Sequence, residues 1–297
     1  MTDQTTDIQC VVAAAAKLGE GTFWDTAQQV LWWIDIFGRT IYRFDPATGK
    51  QTQFATPEDP GCLATRAQGG LVLSMTSGFF FLDLATGDFK PIVDPEEEIT
   101  ATRFNDGRTD RQGRFWSGSM VIDVATEPRK IAALYRLDAD HSCHRMLDGI
   151  GCSNGLAWSP DGRTMYHSDS HTSFIRAWDF DPKTAAIENQ RVFADLGWMK
   201  GIADGATVDE EGCYWVTIPF QGKVLRFDPS GALMRTIELP TDVPTCCEFG
   251  GANLDILYVT TAALDRTPQE LADQPLAGGL FAIDVGVRGI TAAPFAG

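Results

Sequence analysis

Two kinds of short apolar segment alternate along the whole chain. The first kind is rich in large side chains, and its six examples begin at Val30, Gly70, Gly113, Arg163, Gly212 and Asp255. The second kind alternates apolar and polar positions and reaches an aspartate, in segments 38–49, 78–87, 133–138, 175–182, 222–229 and 279–284. Period-two alternation bounded by Gly, Pro and Asp is typical of β-strands joined by tight turns. The chain therefore contains six strand pairs.

The pairs recur roughly every 40–57 residues, which is near the spacing of β-propeller blades. Six repeats of this length predict an all-β, six-bladed propeller with four antiparallel strands per blade around a central channel, as one domain over residues 1–297. We expect a strand at 8–13 to pair with the last blade and close the ring, and one helical turn near 268–272. A pair of β-sandwiches would explain the strand content but not the sixfold recurrence.

Four polar residues occupy one equivalent position in four repeats. Asp204 comes five residues before an Asp-x-x-Gly turn that leads into a strand. Asn105 and Asn154 precede turns at the same offset, and Glu20 matches them although its turn lacks the glycine. The loops that enter the innermost strands of a propeller lie at one end of the channel. We therefore expect these four side chains to converge at that end.

A divalent cation would explain two carboxylates and two amides that point to one place, because it removes the repulsion between the carboxylates. Oxygen ligands suit Ca²⁺, Mg²⁺ and Mn²⁺ and tolerate Fe²⁺ or Zn²⁺. Cys62 and Cys246 lie near the same register in the other two blades, and Arg103 is the nearest guanidinium. Three further aspartates are expected to cap turns instead, namely Asp110, Asp161 and Asp209.

Charge and composition narrow the possible partners. The 297 residues include 24 Lys and Arg against 40 Asp and Glu, a formal net charge of −16, which would repel nucleic acid. The polar N-terminus is followed by an apolar run too short for a membrane span or a signal-peptide core. The seven cysteines show no Cys-x-x-Cys spacing. We expect a cytoplasmic protein with free thiols, no membrane partner and, since a closed ring leaves no free edge, a monomer.

The motifs around the four polar residues resemble those of the SMP-30/gluconolactonase/regucalcin family. They are Leu18-Gly19-Glu20-Gly21 with Phe23-Trp24, Arg103-Phe104-Asn105-Asp106-Gly107, Ser153-Asn154-Gly155 and Asp204-Gly205. The resemblance spans essentially the whole chain, and the segment 275–281 is similar to bacterial sugar lactonases, including xylonolactonases. One departure is Thr22, where the family usually has proline.

The resemblance implies one catalytic divalent metal, Ca²⁺, Zn²⁺, Mn²⁺, Mg²⁺ or Fe²⁺, in a six-bladed propeller. It implies three metal ligands, Glu20, Asn154 and Asp204. It also implies three residues that bind the substrate, Arg103, Asn105 and Asp123. The activity implied is hydrolysis of a small-molecule sugar lactone to its aldonic acid, with the metal as Lewis acid and Asp204 as general base.

Two other functions stay open at this point. A Ca²⁺-binding regulatory protein without catalysis would fit the acidic charge, but it would leave Arg103 and Asn105 without a role. A hydrolase of phosphotriesters or of less polar lactones would fit the same scaffold. We expect the loops at 57–62, 123–130 and 193–200 to decide between these alternatives.

Overall fold

Six four-stranded antiparallel sheets account for the strands of the computed structural model, which describes residues 7–127, 129–264 and 266–297. Blade 1 consists of β2 (Gly19–Asp25), β3 (Val30–Asp35), β4 (Thr40–Asp45) and β5 (Lys50–Ala55). Blade 2 consists of β6 (Pro60–Thr65), β7 (Leu71–Met75), β8 (Gly78–Leu82) and β9 (Phe89–Val93). Blade 3 consists of β10 (Thr102–Thr109), β11 (Phe115–Val121), β12 (Ala132–Leu137) and β13 (Cys143–Ile150).

The second half of the chain repeats the same order. Blade 4 consists of β14 (Ser153–Trp158), β15 (Thr164–Asp169), β16 (Phe174–Phe180) and β17 (Ile187–Asp195). Blade 5 consists of β18 (Ala206–Val208), β19 (Tyr214–Ile218), β20 (Lys223–Phe227) and β21 (Leu233–Glu238). Blade 6 combines β22 (Pro244–Gly250), β23 (Ile256–Thr261) and β24 (Leu280–Asp284) with β1 (Ile8–Val12).

The first strand of each blade contacts the first strand of the next blade, so the six first strands form a closed inner ring. These strands are β2, β6, β10, β14, β18 and β22. They are almost entirely buried, whereas the outer strands β5 and β17 consist mainly of exposed and partly buried positions. This arrangement confirms the six-bladed β-propeller with a central channel. A pair of β-sandwiches is excluded, because the first strands of its sheets would not form one closed ring.

The predicted closing strand and the predicted helix are both confirmed. Strand β1 pairs antiparallel with β24, with Ile8 opposite Ile283 and Cys10 opposite Phe281. This pairing joins the two ends of the sequence in one sheet, so the ring cannot open without breaking that sheet. Helix α1 (Pro268–Asp273) begins with a Thr267 capping box, and a short 3₁₀ helix covers Gly197–Met199.

No helix in the described part of the chain has both the length and the apolar character that crossing a bilayer requires. Residues 1–6, which belong to the N-terminal stretch used in the sequence argument against a signal peptide, lie outside the described residues.

Buried aspartates cap the turns between the first and second strands, as predicted. Asp209 has no exposed surface, and it accepts hydrogen bonds from Trp215 Nε1 at 2.8 Å and Cys213 N at 2.9 Å. Asp209, Glu211 and Cys213 place possible ligand atoms within 4.8 Å of one another. However, Arg226 donates to both carboxylates, so the oxygens of this cluster already have a cationic partner.

The equivalent turn of blade 3 is built in the same way, whereas blade 4 has Ser159 at that position and the exposed Asp161 two residues later. Asp110 accepts from Trp116 Nε1 at 2.9 Å and from Arg114 Nε at 2.6 Å. Asp161 accepts from the backbone N–H of Arg163 at 3.0 Å. The prediction that these aspartates stabilise turns is therefore confirmed.

The C-terminal residues cross the channel end at which these turns lie. Gly289 forms a bridge to Asp209, and Ala296 N donates to Gly113 O at 2.9 Å. Phe295 is fully buried and forms a β-bridge with Arg66. The centroid of its ring lies 6.1 Å from that of Phe81. The innermost strands begin at the other end of the channel, opposite these turns.

We predict that Phe295→Ala lowers the free energy of unfolding by about 3–5 kcal/mol, because it leaves a cavity at a fully buried aromatic position. Equilibrium unfolding in urea measures this change. Leu233→Ala, at an exposed position on β21, is the control and should change the free energy by less than about 0.5 kcal/mol. A loss below about 1 kcal/mol for Phe295→Ala would show that the C-terminal segment does not stabilise the propeller.

Candidate functional site

β-Bulges shape the channel end at which the innermost strands begin. The register shifts between Glu20 and Phe23 in β2, between Phe104 and Gly107 in β10, and between Asn154 and Ala157 in β14. Strands β6 and β22 shift near Cys62 and Cys246. A bulge breaks the two-residue alternation of a strand and re-aims side chains. Glu20, Asn105 and Asn154 thus lie at bulges, whereas Asp204 lies two residues before β18.

Glycines allow these bulges to form. Gly21 and Gly155, which follow Glu20 and Asn154, have φ angles of +58° and +66°. A side chain at Gly155 would also meet the Tyr214 hydroxyl, since an added Cβ would lie 2.6 Å from that oxygen. The Glu-Gly and Asn-Gly pairs of the sequence motifs are therefore required by the backbone conformation at the site.

The carboxyl groups of Glu20 and Asp204 are close enough to each other to interact electrostatically. Burial raises the pKa of the Glu20 carboxyl well above its usual value, and the nearby charges of Asp204 and Asp106 raise it further. Burial likewise raises the pKa of Asp204, with Asp106 again adding to the shift. The only backbone donor to Glu20 among the described contacts is Gly21 N, at 3.1 Å. Two acids thus share a site that disfavours two negative charges.

Asp106 is a third buried carboxylate at this site, and sequence analysis missed its role. Its Oδ2 accepts a hydrogen bond from Leu156 N at 3.2 Å, which joins blade 3 to blade 4. Burial raises its pKa, and the charge of Arg108 opposes that shift. The available signal was its position directly after Asn105, because a bulge allows two consecutive residues to face the same side.

A chain of hydrogen bonds connects the remaining site residues across three blades. Arg103 Nη1 donates to Asn105 Oδ1 at 3.2 Å, and Asn105 Nδ2 donates to Asn154 Oδ1 at 3.1 Å. Asn154 Nδ2 donates to Ser170 Oγ at 2.8 Å, and that hydroxyl donates to Ala203 O at 2.7 Å. Ala203 directly precedes Asp204. The chain fixes the orientation of both amides and holds the loop that carries Asp204.

Arg103 is nearly buried at this site and lies close to the acids without pairing with them. Its Nη1 donates to Phe104 O at 2.8 Å as well as to Asn105, and its guanidinium carbon lies 5.7 Å from the centroid of the Phe37 ring. Burial lowers the pKa of Arg103, while the negative charges of Asp59, Glu20 and Asp204 favour its protonated form. The structure thus brings Arg103 and Asn105 together with Glu20, Asn154 and Asp204.

Asp123, the remaining predicted substrate residue, lies apart on an exposed turn after β11. Its Oδ1 accepts a hydrogen bond from Ala125 N at 2.9 Å, and its carbonyl accepts one from Glu127 N. None of the described hydrogen bonds or ion pairs connects Asp123 with the other predicted site residues. Its role in substrate binding stays a prediction.

The donor set fits a hard divalent cation. Within residues 7–127, 129–264 and 266–297, no Lys or Arg forms an ion pair with Glu20, Asp204 or Asp106. The guanidinium below them, Arg108, pairs with the buried Glu248. The negative charge at the channel end is therefore left without a paired cation, and the carboxylate and amide oxygens there are ligands that Ca²⁺, Mg²⁺ and Mn²⁺ prefer.

Comparisons with known proteins show the family to which the chain is related. The family model described as SMP-30/Gluconolactonase/LRE-like region matches residues 18–263. A 6-deoxy-6-sulfogluconolactonase from Pseudomonas putida is 38% identical over 98% of this chain and 99% of its own length. Regucalcin from Xenopus laevis is 37% identical over 98% of each chain. The crystal structure of a calcium-binding regucalcin from Agrobacterium tumefaciens superposes with a TM-score of 0.93 at 26% identity, covering 98% of this chain and 97% of that one.

We predict that the metal-free protein loses stability as the pH rises above about 4, the ordinary pKa of a carboxyl group. The raised pKa values mean that the folded state holds protons on Glu20 and Asp204 which the unfolded chain releases. The free energy of unfolding therefore falls between pH 4 and the raised values. Thermal unfolding in chelator between pH 5 and pH 7.5 measures this fall.

The matched variant for this measurement is Asp204→Asn, which keeps the size of the side chain and removes one of the two interacting charges. Its melting temperature should fall less steeply over the same pH range, because Glu20 then ionises without that neighbour. A fall as steep as that of the unsubstituted protein would mean that the slope comes from the general acidic charge and not from this pair.

Proposed function

The chain belongs to the SMP-30/gluconolactonase/LRE-like family, and on that premise we propose that it is a metal-dependent lactonase that hydrolyses a sugar lactone to the corresponding aldonic acid. The observation that carries this proposal is the pair of buried acids, Glu20 and Asp204, with no paired cation and with the donors of Arg103 beside them. The relative named 6-deoxy-6-sulfogluconolactonase, which matches almost the whole chain, supports a lactone as the substrate.

Glu20, Asn154 and Asp204 are the proposed ligands of one divalent metal ion. When bound, the ion would polarise the lactone carbonyl as a Lewis acid and would keep Glu20 and Asp204 ionised at neutral pH. Its identity stays open among Ca²⁺, Mg²⁺, Mn²⁺, Zn²⁺ and Fe²⁺. The oxygen-rich donor set favours the harder ions, and the Agrobacterium tumefaciens regucalcin is described as calcium-binding.

Asp204 is the proposed general base. As a residue Asp204 is partly exposed, whereas Glu20 is buried, and the proposed route of the reacting water is from the exposed side of Asp204. Asp204 would take a proton from this water as the water oxygen bonds to the carbonyl carbon of the lactone. The bond between the carbonyl carbon and the ring oxygen then breaks, and the ring oxygen receives the proton and leaves as a hydroxyl group. The product is the open-chain acid.

Arg103, Asn105 and Asp123 are the proposed substrate contacts. Asn105 Nδ2 already donates to Asn154 Oδ1 and to Ser153 O, so its Oδ1, which has two lone pairs and accepts from Arg103, is the atom left for a sugar hydroxyl. Arg103 would donate to lactone oxygens and stabilise the negative charge that develops on them. Asp123 would contribute Oδ2, because Oδ1 caps its own turn.

A Ca²⁺-binding protein without catalysis is the second candidate, since the Agrobacterium tumefaciens regucalcin of similar fold is described as calcium-binding. It accounts for the uncompensated acids but not for the position of Arg103 next to them. In either case we propose a monomer formed by one domain, because strand β1 closes the ring and leaves no inner edge unpaired.

We predict that Asp204→Ala lowers kcat by at least about 10³-fold, because the variant lacks both the base and a metal ligand. Release of acid from an aldonolactone measures turnover after spontaneous hydrolysis is subtracted. Asp228→Ala, which removes a partly exposed aspartate from a turn at the opposite channel end, is the control and should keep full activity. Activity of Asp204→Ala close to that of the unsubstituted enzyme would exclude Asp204 as the base.

A further inference from the structure

Most of the exposed large apolar side chains in the described part of the chain lie at the channel end that carries the site. The exceptions lie on outer strands and are Val192, Leu233 and Met234. The others in the described part of the chain lie on connections at the site end, namely Phe37, Ile122, Val124, Trp198, Phe220, Leu271 and Leu276. Ligand sites combine apolar walls with a few polar groups that fix orientation. The apolar residue that contacts a site residue directly is therefore of interest.

Phe37 is that residue, since the guanidinium of Arg103 lies 5.7 Å from the centroid of its ring. Phe37 is 36% exposed, whereas Arg103 is 8% exposed, so the ring covers the guanidinium and still presents a free edge. A cation over an aromatic face is attracted to it, and more strongly when it is removed from water. The contact thus favours a position of the guanidinium over the ring.

The turn that carries Phe37 is itself rigidly attached to the site. Asp35 Oδ1 accepts hydrogen bonds from Gly38 N at 2.9 Å and from Leu18 N at 3.0 Å. Its Oδ2 accepts from Lys17 N at 3.0 Å. Asp35 therefore clamps the turn between β3 and β4 to the segment that leads into Glu20. Phe37 is held in place relative to both the acids and Arg103.

Arg103 keeps donors that the protein does not use. A guanidinium has five N–H groups, and Nη1 donates to Phe104 O and to Asn105 Oδ1. In the described residues, Nε and Nη2 donate to no protein acceptor, which leaves three N–H groups. A nearly buried cation without a carboxylate partner needs acceptors for these groups. Oxygen atoms of a bound ligand would supply them.

We propose that Phe37 is a positioning residue for substrate binding. Its ring holds the guanidinium of Arg103 so that the three unshared N–H groups keep one orientation toward the oxygen atoms of a lactone. Its exposed edge packs against C–H groups of the same molecule, which favours a hydroxylated ring with an apolar face. This inference rests on the proposed lactonase function and deepens it.

Three substitutions of Phe37 separate the aromatic face from simple bulk. Phe37→Tyr keeps the face, Phe37→Leu keeps apolar volume without it, and Phe37→Ala removes both. We expect KM for an aldonolactone to rise about tenfold in Phe37→Leu and Phe37→Ala and to stay within about threefold in Phe37→Tyr. We expect kcat to change less than about threefold in each, since the base and metal ligands are untouched.

Phe220 offers a matched control. It is also an exposed phenylalanine on a turn at the site end, and Arg266 lies 5.3 Å from its ring centroid, but Arg266 pairs with Asp242 and not with a site residue. Phe220→Ala should leave KM unchanged. In a double-mutant cycle, Phe37→Leu should add little to the KM of Arg103→Ala, because the contact is already lost.

Three results would overturn the inference: a native KM in Phe37→Leu, a fall in kcat with an unchanged KM, or an equal rise in KM in Phe220→Ala. If Phe37→Ala does not fold, Phe37→Leu and Phe37→Tyr decide the question. Failure of the unsubstituted protein to open any aldonolactone would overturn the proposed function together with the inference. Turnover in that protein with unchanged Phe37 variants would overturn the inference alone.

Discussion

The repulsion between carboxylates buried at one end of the channel is the constraint on which the site depends. Glu20 and Asp204 come from blades 1 and 5, and Asp106 comes from blade 3, so the negative charges meet only because the ring of innermost strands is closed. Folding alone leaves this charge without a paired cation. Burial raises the pKa values of both acids and the neighbouring carboxylates raise them further, and a divalent ion would reverse that rise.

Elsewhere in the chain, the negative charge of buried acids is compensated by a cation or by hydrogen bonds from the protein itself. Asp209 receives hydrogen bonds from Arg226, and Glu248 receives one from Arg108. Glu96, which has no such cation, accepts hydrogen bonds from three hydroxyl groups. In the described part of the chain, Glu20 and Asp204 have neither a paired cation nor such a set of hydroxyl donors, and this distinguishes the site from Asp209, Glu248 and Glu96 and supports a metal ion there.

Repetition explains how much the sequence could predict. The recurrence of turns at fixed offsets was enough to predict six blades, the closing strand and the convergence of Glu20, Asn105, Asn154 and Asp204. It did not predict Asp106, because a bulge is a register shift that local composition does not reveal. Nor did it predict contacts between distant segments, such as Arg108 with Glu248 or Phe295 with the turns it covers. Asp123, assigned by resemblance, lies on an exposed turn, where its role rests on the proposal alone.

The central claim is that a divalent ion between Glu20, Asn154 and Asp204 is required for turnover. The most direct measurement strips the protein with chelator and follows acid release from a panel of aldonolactones, with spontaneous hydrolysis subtracted, as Ca²⁺, Mg²⁺, Mn²⁺, Zn²⁺ and, without oxygen, Fe²⁺ are added back. The account predicts that turnover is lost on stripping and restored by at least one ion. Turnover that chelation does not affect would contradict it.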